Sequence, residues 1–115
     1  MDPRKKLGNL GEEKVARYLE QQGYTILARN FTSKSGELDL IAHKDDVIAF
    51  VEVKTRQHHY FATSQVVIPS KQRKIIKTAK YYIMVNQLSE KTFRFDIAIV
   101  SPMDIEYIPN AFYGA

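Results

Sequence analysis

An α/β domain is the fold this sequence predicts, in the order α-β-β-β-α-β with a short strand after it, and three observations carry that prediction. Two segments, Leu7–Gln22 and Ser70 to about Gln87, repeat apolar residues at helical spacing. The stretches between and after them are runs rich in Val, Ile, Leu and Phe, separated by turn formers, which is how strands read. With 115 residues, 44% of them apolar, the chain can close a single core, so residues 1–115 form one domain.

In the first helix Val15, Ala16 and Leu19 make one stripe, while Glu13, Lys14, Arg17 and Glu20 lie off it. Gly23 is placed to end the helix in the left-handed conformation. Its start is less defined: Asp2-Pro3 can cap an early turn, and Asn9-x-x-Glu12 matches a capping box less well than Ser or Thr would. Glu12 precedes Val15 and Ala16 by three and four places, so it faces inward with them, whereas Glu13 faces water. Taken alone, Glu12 reads as an acid favoured by the helix dipole. Gly8 and Gly11 are poor helix formers that let another backbone come close.

Tyr24–Phe31 is the first strand, entering the sheet beside the hairpin that follows. Thr32–Gly36 is a polar loop whose Lys34 and hydroxyls can contact phosphates. The hairpin has strands Glu37–Ala42 and Val47–Thr55 around the polar His43–Asp46. Alternation puts Glu37, Asp39 and Ile41 on one face of the first strand, and Glu52 and Lys54 on one face of the second. A two-residue turn at Lys44-Asp45, or a four-residue loop, sets Ala42 opposite Val47 and Asp39 opposite Phe50. Asp39, Glu52 and Lys54 then point the same way, with Asp39 diagonal to Glu52. A three-residue turn would separate them.

Beyond Arg56 the periodicity is lost through His58-His59-Tyr60. Adjacent histidines diverge in a strand and no matching cluster exists elsewhere, so a zinc site is disfavoured. A loop beside the hairpin, touching substrate through His58 or Tyr60, is the preferred reading. The second helix buries Ile75, Ile76, Ala79, Tyr82 and Ile83, and carries Lys71, Arg73, Lys74, Lys77 and Lys80 on its other faces with no acid before Glu90. That cation set suits a phosphate backbone, positioning a nucleic acid without reading its sequence. In Thr92–Val100, Phe93, Phe95, Ile97 and Ile99 share a face, and Asp96 is expected to pair with Arg94 or a neighbouring strand and not with a metal. A last strand, Ile105–Ile108, precedes a tail, Pro109–Ala115, that packs or dimerises through Phe112 and Tyr113.

Two carboxylates and an ammonium on one half-buried face are costly unless something pairs them. Mg²⁺ does so with one or two carboxylates, water and a substrate phosphate, and the Val53 carbonyl offers a further oxygen. Lys54 beside it would orient a water or offset phosphate charge. The competing reading is a structural ion pair of Lys54 with Glu52 or Asp39. The formal charge of +4 permits a phosphate-rich partner. The chain has no cysteine, no apolar run of membrane-spanning length and no apolar segment behind its basic start, so a cytoplasmic protein is expected.

The sequence G-E-L-D-L-I-A at Gly36–Ala42, followed by V-E-V-K-T-R at Val51–Arg56, resembles the PD-(D/E)xK nuclease superfamily, and within it the archaeal Holliday-junction resolvases. It is more similar still to the YraN family of small nuclease-like proteins. Gly11-Glu12, Gly23-Tyr24 and Arg94-Phe95-Asp96 extend the likeness over nearly the whole chain. The resemblance implies a restriction-endonuclease-like αβββαβ core, a mixed central sheet flanked by helices. It further implies Mg²⁺ or Mn²⁺ held by Asp39, Glu52 and the Val53 carbonyl, with Glu12 reaching the ion directly or through water. Lys54 would position the attacking water, and a serine, Ser33 or Ser35, would also serve. The substrate would be DNA, branched or duplex, with Lys34, Arg56, Lys71, Arg73, Lys74 and Lys77 as its phosphate contacts, and the enzyme a homodimer. Two alternatives are a non-cleaving nucleic-acid-binding module serving repair, recombination or uptake, and a purely structural protein whose ion-paired hairpin has no ligand.

Overall fold

The computed structural model describes residues 3–55 and 67–114, with residues 3–9 as backbone only. Its elements are α1 (Pro3–Gln21), β1 (Thr25–Ser33), β2 (Gly36–Lys44), β3 (Val47–Thr55), α2 (Pro69–Val85), β4 (Thr92–Val100) and β5 (Ile105–Phe112). The strands form one sheet in sequence order, β1-β2-β3-β4-β5. Neighbours run antiparallel except β3 and β4, which are parallel. Such a pair needs a crossover, and α2 supplies it. This is the mixed sheet and αβββαβ order of a restriction-endonuclease-like core. No described helix is long and apolar enough to cross a membrane.

Alternation along the strands gives the two faces different characters. Toward α1 the sheet presents Ala42, Ala49 and Ala98 with Leu40, Val51 and Val100, packed on Val15, Ala16 and Leu19. Small strand residues let the helix come close; a Cβ at Gly11 would stand 2.8 Å from Thr55 Oγ1. Toward α2 the face is aromatic. Phe50 and Phe95 stack at 5.5 Å, Phe95 and Phe112 at 5.2 Å, and Phe31 meets Tyr82 edge-on at 5.0 Å. Ile75, Ala79 and Tyr82 of α2 are buried there as their spacing implies, with Val67 beside them.

Several boundaries differ from the sequence reading, each for a local reason. Helix α1 starts at Pro3 and not Leu7, since proline is pre-set for a first helical turn; Asp2 lies outside the described residues. Its end is as expected: Gly23 has φ 95°, and the Gly23 and Tyr24 N–H groups donate to the Glu20 and Leu19 carbonyls, both at 3.0 Å. Strand β1 runs on to Ser33, reducing the polar loop to a Lys34-Ser35 turn closed by the Ser35 N–H donating to Ser33 Oγ at 3.1 Å. In α2, Ile76 and Ile83 are only partly buried, whereas Thr78 is buried; its hydroxyl donates to the Lys74 carbonyl at 2.8 Å, so its burial leaves no unmet polar group.

Strand β5 reaches Phe112, well past the expected Ile108, by way of an irregularity. Phe95 pairs with Phe112 and Ile97 with Ile108, so residues 109–111 bulge opposite Asp96 alone. Asn110 takes φ 54° and its N–H donates to Asp96 Oδ1 at 2.8 Å. Asp96 is 0% exposed and also binds Arg94 through Nε at 2.9 Å and Nη2 at 2.8 Å, and accepts the Tyr107 hydroxyl. Arg94 continues to the Tyr24 hydroxyl at 2.6 Å, tying the end of α1 to β4 and β5. The expected Arg94–Asp96 pair is thus the centre of a structural network. Removing one partner of a buried ion pair strands the other. Asp96→Ala is expected to cost about 3–5 kcal/mol in urea unfolding, and Tyr107→Phe only about 1 kcal/mol; equal, small losses would show that the network does not hold β5.

Candidate active site at the open end of the central hairpin

Strands β2 and β3 pair from Lys44↔Val47 to Leu40↔Val51, and there the ladder ends. The turn is Asp45-Asp46, with Asp45 at φ 54°, a conformation aspartate tolerates. Ala42 therefore faces Ala49, not Val47, which shifts the expected register by two residues. The even shift preserves the faces. Continuing the register by one step sets Asp39 directly opposite Glu52 and not opposite Phe50.

Asp39 does not continue the ladder with its backbone. Its Oδ2 accepts the Val53 N–H at 2.8 Å, so a side chain takes the place of a strand carbonyl. In an extended strand the N–H and C=O of one residue address the same neighbour, which turns the Val53 carbonyl toward this gap too. The opening is built into both adjacent strands. Leu38 and Ile41 both pack in the core under α2 while Leu40 faces α1, so alternation breaks at Asp39 and the common face expected for Glu37, Asp39 and Ile41 is not kept. On β1, Asn30 falls opposite Asp39 by register and has φ 50°; Ala28 and Phe31 flanking it pack on one face. A left-handed residue rotates the chain locally, and the two breaks coincide.

Elements from both faces converge on the gap. Glu52, 6% exposed, lies toward α2, where Lys71 Nζ is 2.7 Å and Lys54 Nζ 3.6 Å from its Oε1. From the α1 side Glu12 is within electrostatic range of Glu37 and Glu52 and bonds to Asn30. Burial raises the Glu12 pKa, and the two neighbouring glutamates add to the rise against Asn30 and Arg29. Glu13 instead pairs with Arg17 at 3.2 Å and Arg29 at 2.5 Å on the surface. Asp39 is pushed up to about 7, by burial first and the Glu52 charge second, against the Val53 N–H. The lysines separate. Burial and then the Lys71 ammonium lower the Lys54 pKa; burial also works to lower that of Lys71, but its bonds to Glu52 and Lys54 and the Glu52 and Asp39 charges together raise it.

The donor set fits a hard divalent cation: two adjacent carboxylates, a backbone carbonyl and a third carboxylate nearby. Among the described residues no three histidine, cysteine or carboxylate groups stand close enough to hold an ion unaided. Water and a phosphate would have to complete the shell, as they commonly do for Mg²⁺. Lys71 is the residue whose place the sequence reading missed, for it faces Glu52 and not a solvated helix surface. A signal existed: a lysine in a helical first turn that holds no acid opposes the dipole, and so asks for an anion from elsewhere. Arg73, Lys74 and Lys77 are exposed on α2 as expected, and Lys34 is exposed in the β1–β2 turn at the same end of the sheet. Arg56, His58, His59 and Tyr60 lie outside the described residues.

The model of a family described as "Uncharacterised protein family UPF0102" matches residues 11–100. A UPF0102 protein from Sulfurihydrogenibium sp. (strain YO3AOP1) is 44% identical over 106 residues, covering 91% of this chain and 92% of its own. One from Trichlorobacter lovleyi is 46% identical over 113 residues, 92% of this chain and 89% of its own. Among solved structures, the crystal structure of SSO0001 aligns with a TM-score of 0.48 at 13% identity, over 95% of this chain and 52% of that one, so this chain spans about half its length.

The Asp39 shift carries a sign for stability. Between about pH 4, the ordinary aspartate range, and about 7 the folded protein holds a proton that the unfolded chain has lost. The stability is complete below that window, falls as the pH rises through it and is flat above. In EDTA, Asp39→Asn keeps an oxygen for the Val53 N–H but cannot ionise. Thermal melts are expected to show the variant more stable than wild type at pH 8, on the order of 4 kcal/mol, with the gap closing toward pH 4. A gap that does not change with pH would show that Asp39 ionises normally.

Proposed function

The chain belongs to the UPF0102 (YraN) family, and from that premise and the geometry above we propose that it is a metal-dependent nuclease hydrolysing phosphodiester bonds in DNA. One observation carries the reading: Asp39 leaves the strand ladder to stand against Glu52 at a gap that the Val53 carbonyl also addresses. A structural hairpin would gain nothing by interrupting its ladder to bring two carboxylates together, since each raises the cost of the other's charge.

Asp39, Glu52 and the Val53 carbonyl would hold Mg²⁺ or Mn²⁺, with Glu12 joining through water. A divalent ion there supplies Lewis acidity toward a phosphoryl oxygen and the charge that steadies the departing one. Lys54, whose environment favours the neutral amine more than usual, holds the attacking water in line and can accept its proton as the new P–O bond forms and the bond to the leaving sugar oxygen breaks. Exposed Arg73, Lys74 and Lys77, with Lys34 on the opposite hairpin, grip the backbone on either side of the scissile phosphate. Cutting both strands of a duplex or a branch requires two such sites, so a homodimer is part of the proposal, as is work in the cytoplasm.

Supercoiled, linear and four-way-junction DNA incubated with Mg²⁺ or Mn²⁺ are expected to be cut by wild type. Loss of about 10²-fold or more is expected in Asp39→Ala and Lys54→Ala, and about tenfold in Glu12→Gln. Lys77→Ala should weaken binding across all sequences and lower the salt slope by about one. Salt-sensitive binding with no cutting by wild type would make this a binding module instead; undiminished cutting by Lys54→Ala would remove the assigned chemistry.

A further inference from the structure

Among the described residues, the shortest ion pair at Glu52 does not come from the hairpin motif. Lys71 Nζ stands 2.7 Å from Glu52 Oε1, against 3.6 Å for Lys54. Lys71 belongs to the first turn of α2, where the helix dipole disfavours a cation and no acid of the same turn offsets it. What holds it there is the carboxylate pair, for it senses Asp39 as well as Glu52. The two partners also differ in their access to water: the Lys71 side chain is 42% exposed and that of Glu52 6%. A lysine is a compact charge on a four-carbon stem, so this ammonium can leave toward solvent while the carboxylate stays.

We infer that Lys71 is the internal counter-ion of the Asp39–Glu52 pair, holding the cation's place until a divalent ion takes it and then passing to a phosphate of the nucleic acid. The inference rests on the metal-binding reading proposed above and assigns Lys71 a positioning role within it. A divalent ion would compete for the Glu52 oxygen that Lys71 holds at 2.7 Å and would add to the repulsion between two ammonium groups already beside it, so loading the ion displaces the nearer and more exposed of them, Lys71. The expelled group comes out on the same turn as exposed Arg73 and Lys74, on the face proposed to meet the DNA backbone. Metal loading would thereby add one phosphate contact at the moment the site becomes competent, a coupling between two ligands through a shared residue.

Calorimetric titration of the full-length protein with Mn²⁺ alone, without nucleic acid, tests the first half. Lys71→Met is expected to bind Mn²⁺ about five- to tenfold more tightly than wild type, the low end of such couplings, and Lys71→Gln to follow it should the methionine perturb folding. Lys71→Arg should stay near wild type, as should Lys74→Met, which removes the same charge one helical turn away. Unchanged or weaker binding by both Lys71→Met and Lys71→Gln, with wild type binding normally, would overturn this inference and leave the proposed function standing; no Mn²⁺ uptake by wild type would overturn both. The second half is read from duplex binding in Ca²⁺ and in EDTA. Lys71→Met should weaken binding only in Ca²⁺, and an equal loss in both would refute the release.

Discussion

The bond from the Val53 N–H to the Asp39 carboxylate is the contact on which the site depends. Strands β2 and β3 have every backbone reason to go on pairing, and an unpaired N–H inside a sheet is expensive. Asp39 supplies the acceptor that the absent ladder would have supplied, so the strands part without leaving a buried donor unmet. The same bond brings its carboxylate beside Glu52, and the direction of the Val53 N–H turns the carbonyl of that residue toward the same gap. Asn30, held at positive φ on the outer strand, makes the matching break in β1.

The two sheet faces divide the remaining work. Alanines under α1 let that helix lie close enough for Glu12 to come within range of residues on the far side of the gap. Aromatic rings under α2 set that helix over β1 and β2, with Tyr82 meeting Phe31 of β1 and Phe50 of β3, and its first turn delivers Lys71 to Glu52. The Arg94–Asp96–Tyr107 network, away from the gap, anchors the irregular β5 and the end of α1. Its charges are fully engaged with one another, whereas the charges at the gap are in conflict.

That conflict is what separates a reactive arrangement from a structural one. Asp39 is driven toward neutrality by burial and by Glu52, and Lys54 by burial and by Lys71, while Lys71 is driven the other way. Groups of one type pushed apart in proton affinity within a few ångströms are suited to different tasks. A divalent cation would relieve the carboxylates and free the ammonium together.

Much of this was legible in the chain itself. The helical stripe of Val15, Ala16 and Leu19, the Gly23 stop, the alternation of Phe93, Phe95, Ile97 and Ile99, and the common side of Glu52 and Lys54 on β3 all follow from local periodicity and turn chemistry. The tertiary structure alone decided the register, the bulge that lengthens β5 around Asp96, and the place of Lys71. Register depends on which residues of a polar loop turn, and Asp45 accepts a conformation that several neighbours would also have allowed. Lys71 reaches Glu52 across a crossover, and local spacing cannot say where a helix will dock on a sheet. Periodicity acts within an element, so it assigns faces; which charges meet is settled only when separate elements pack.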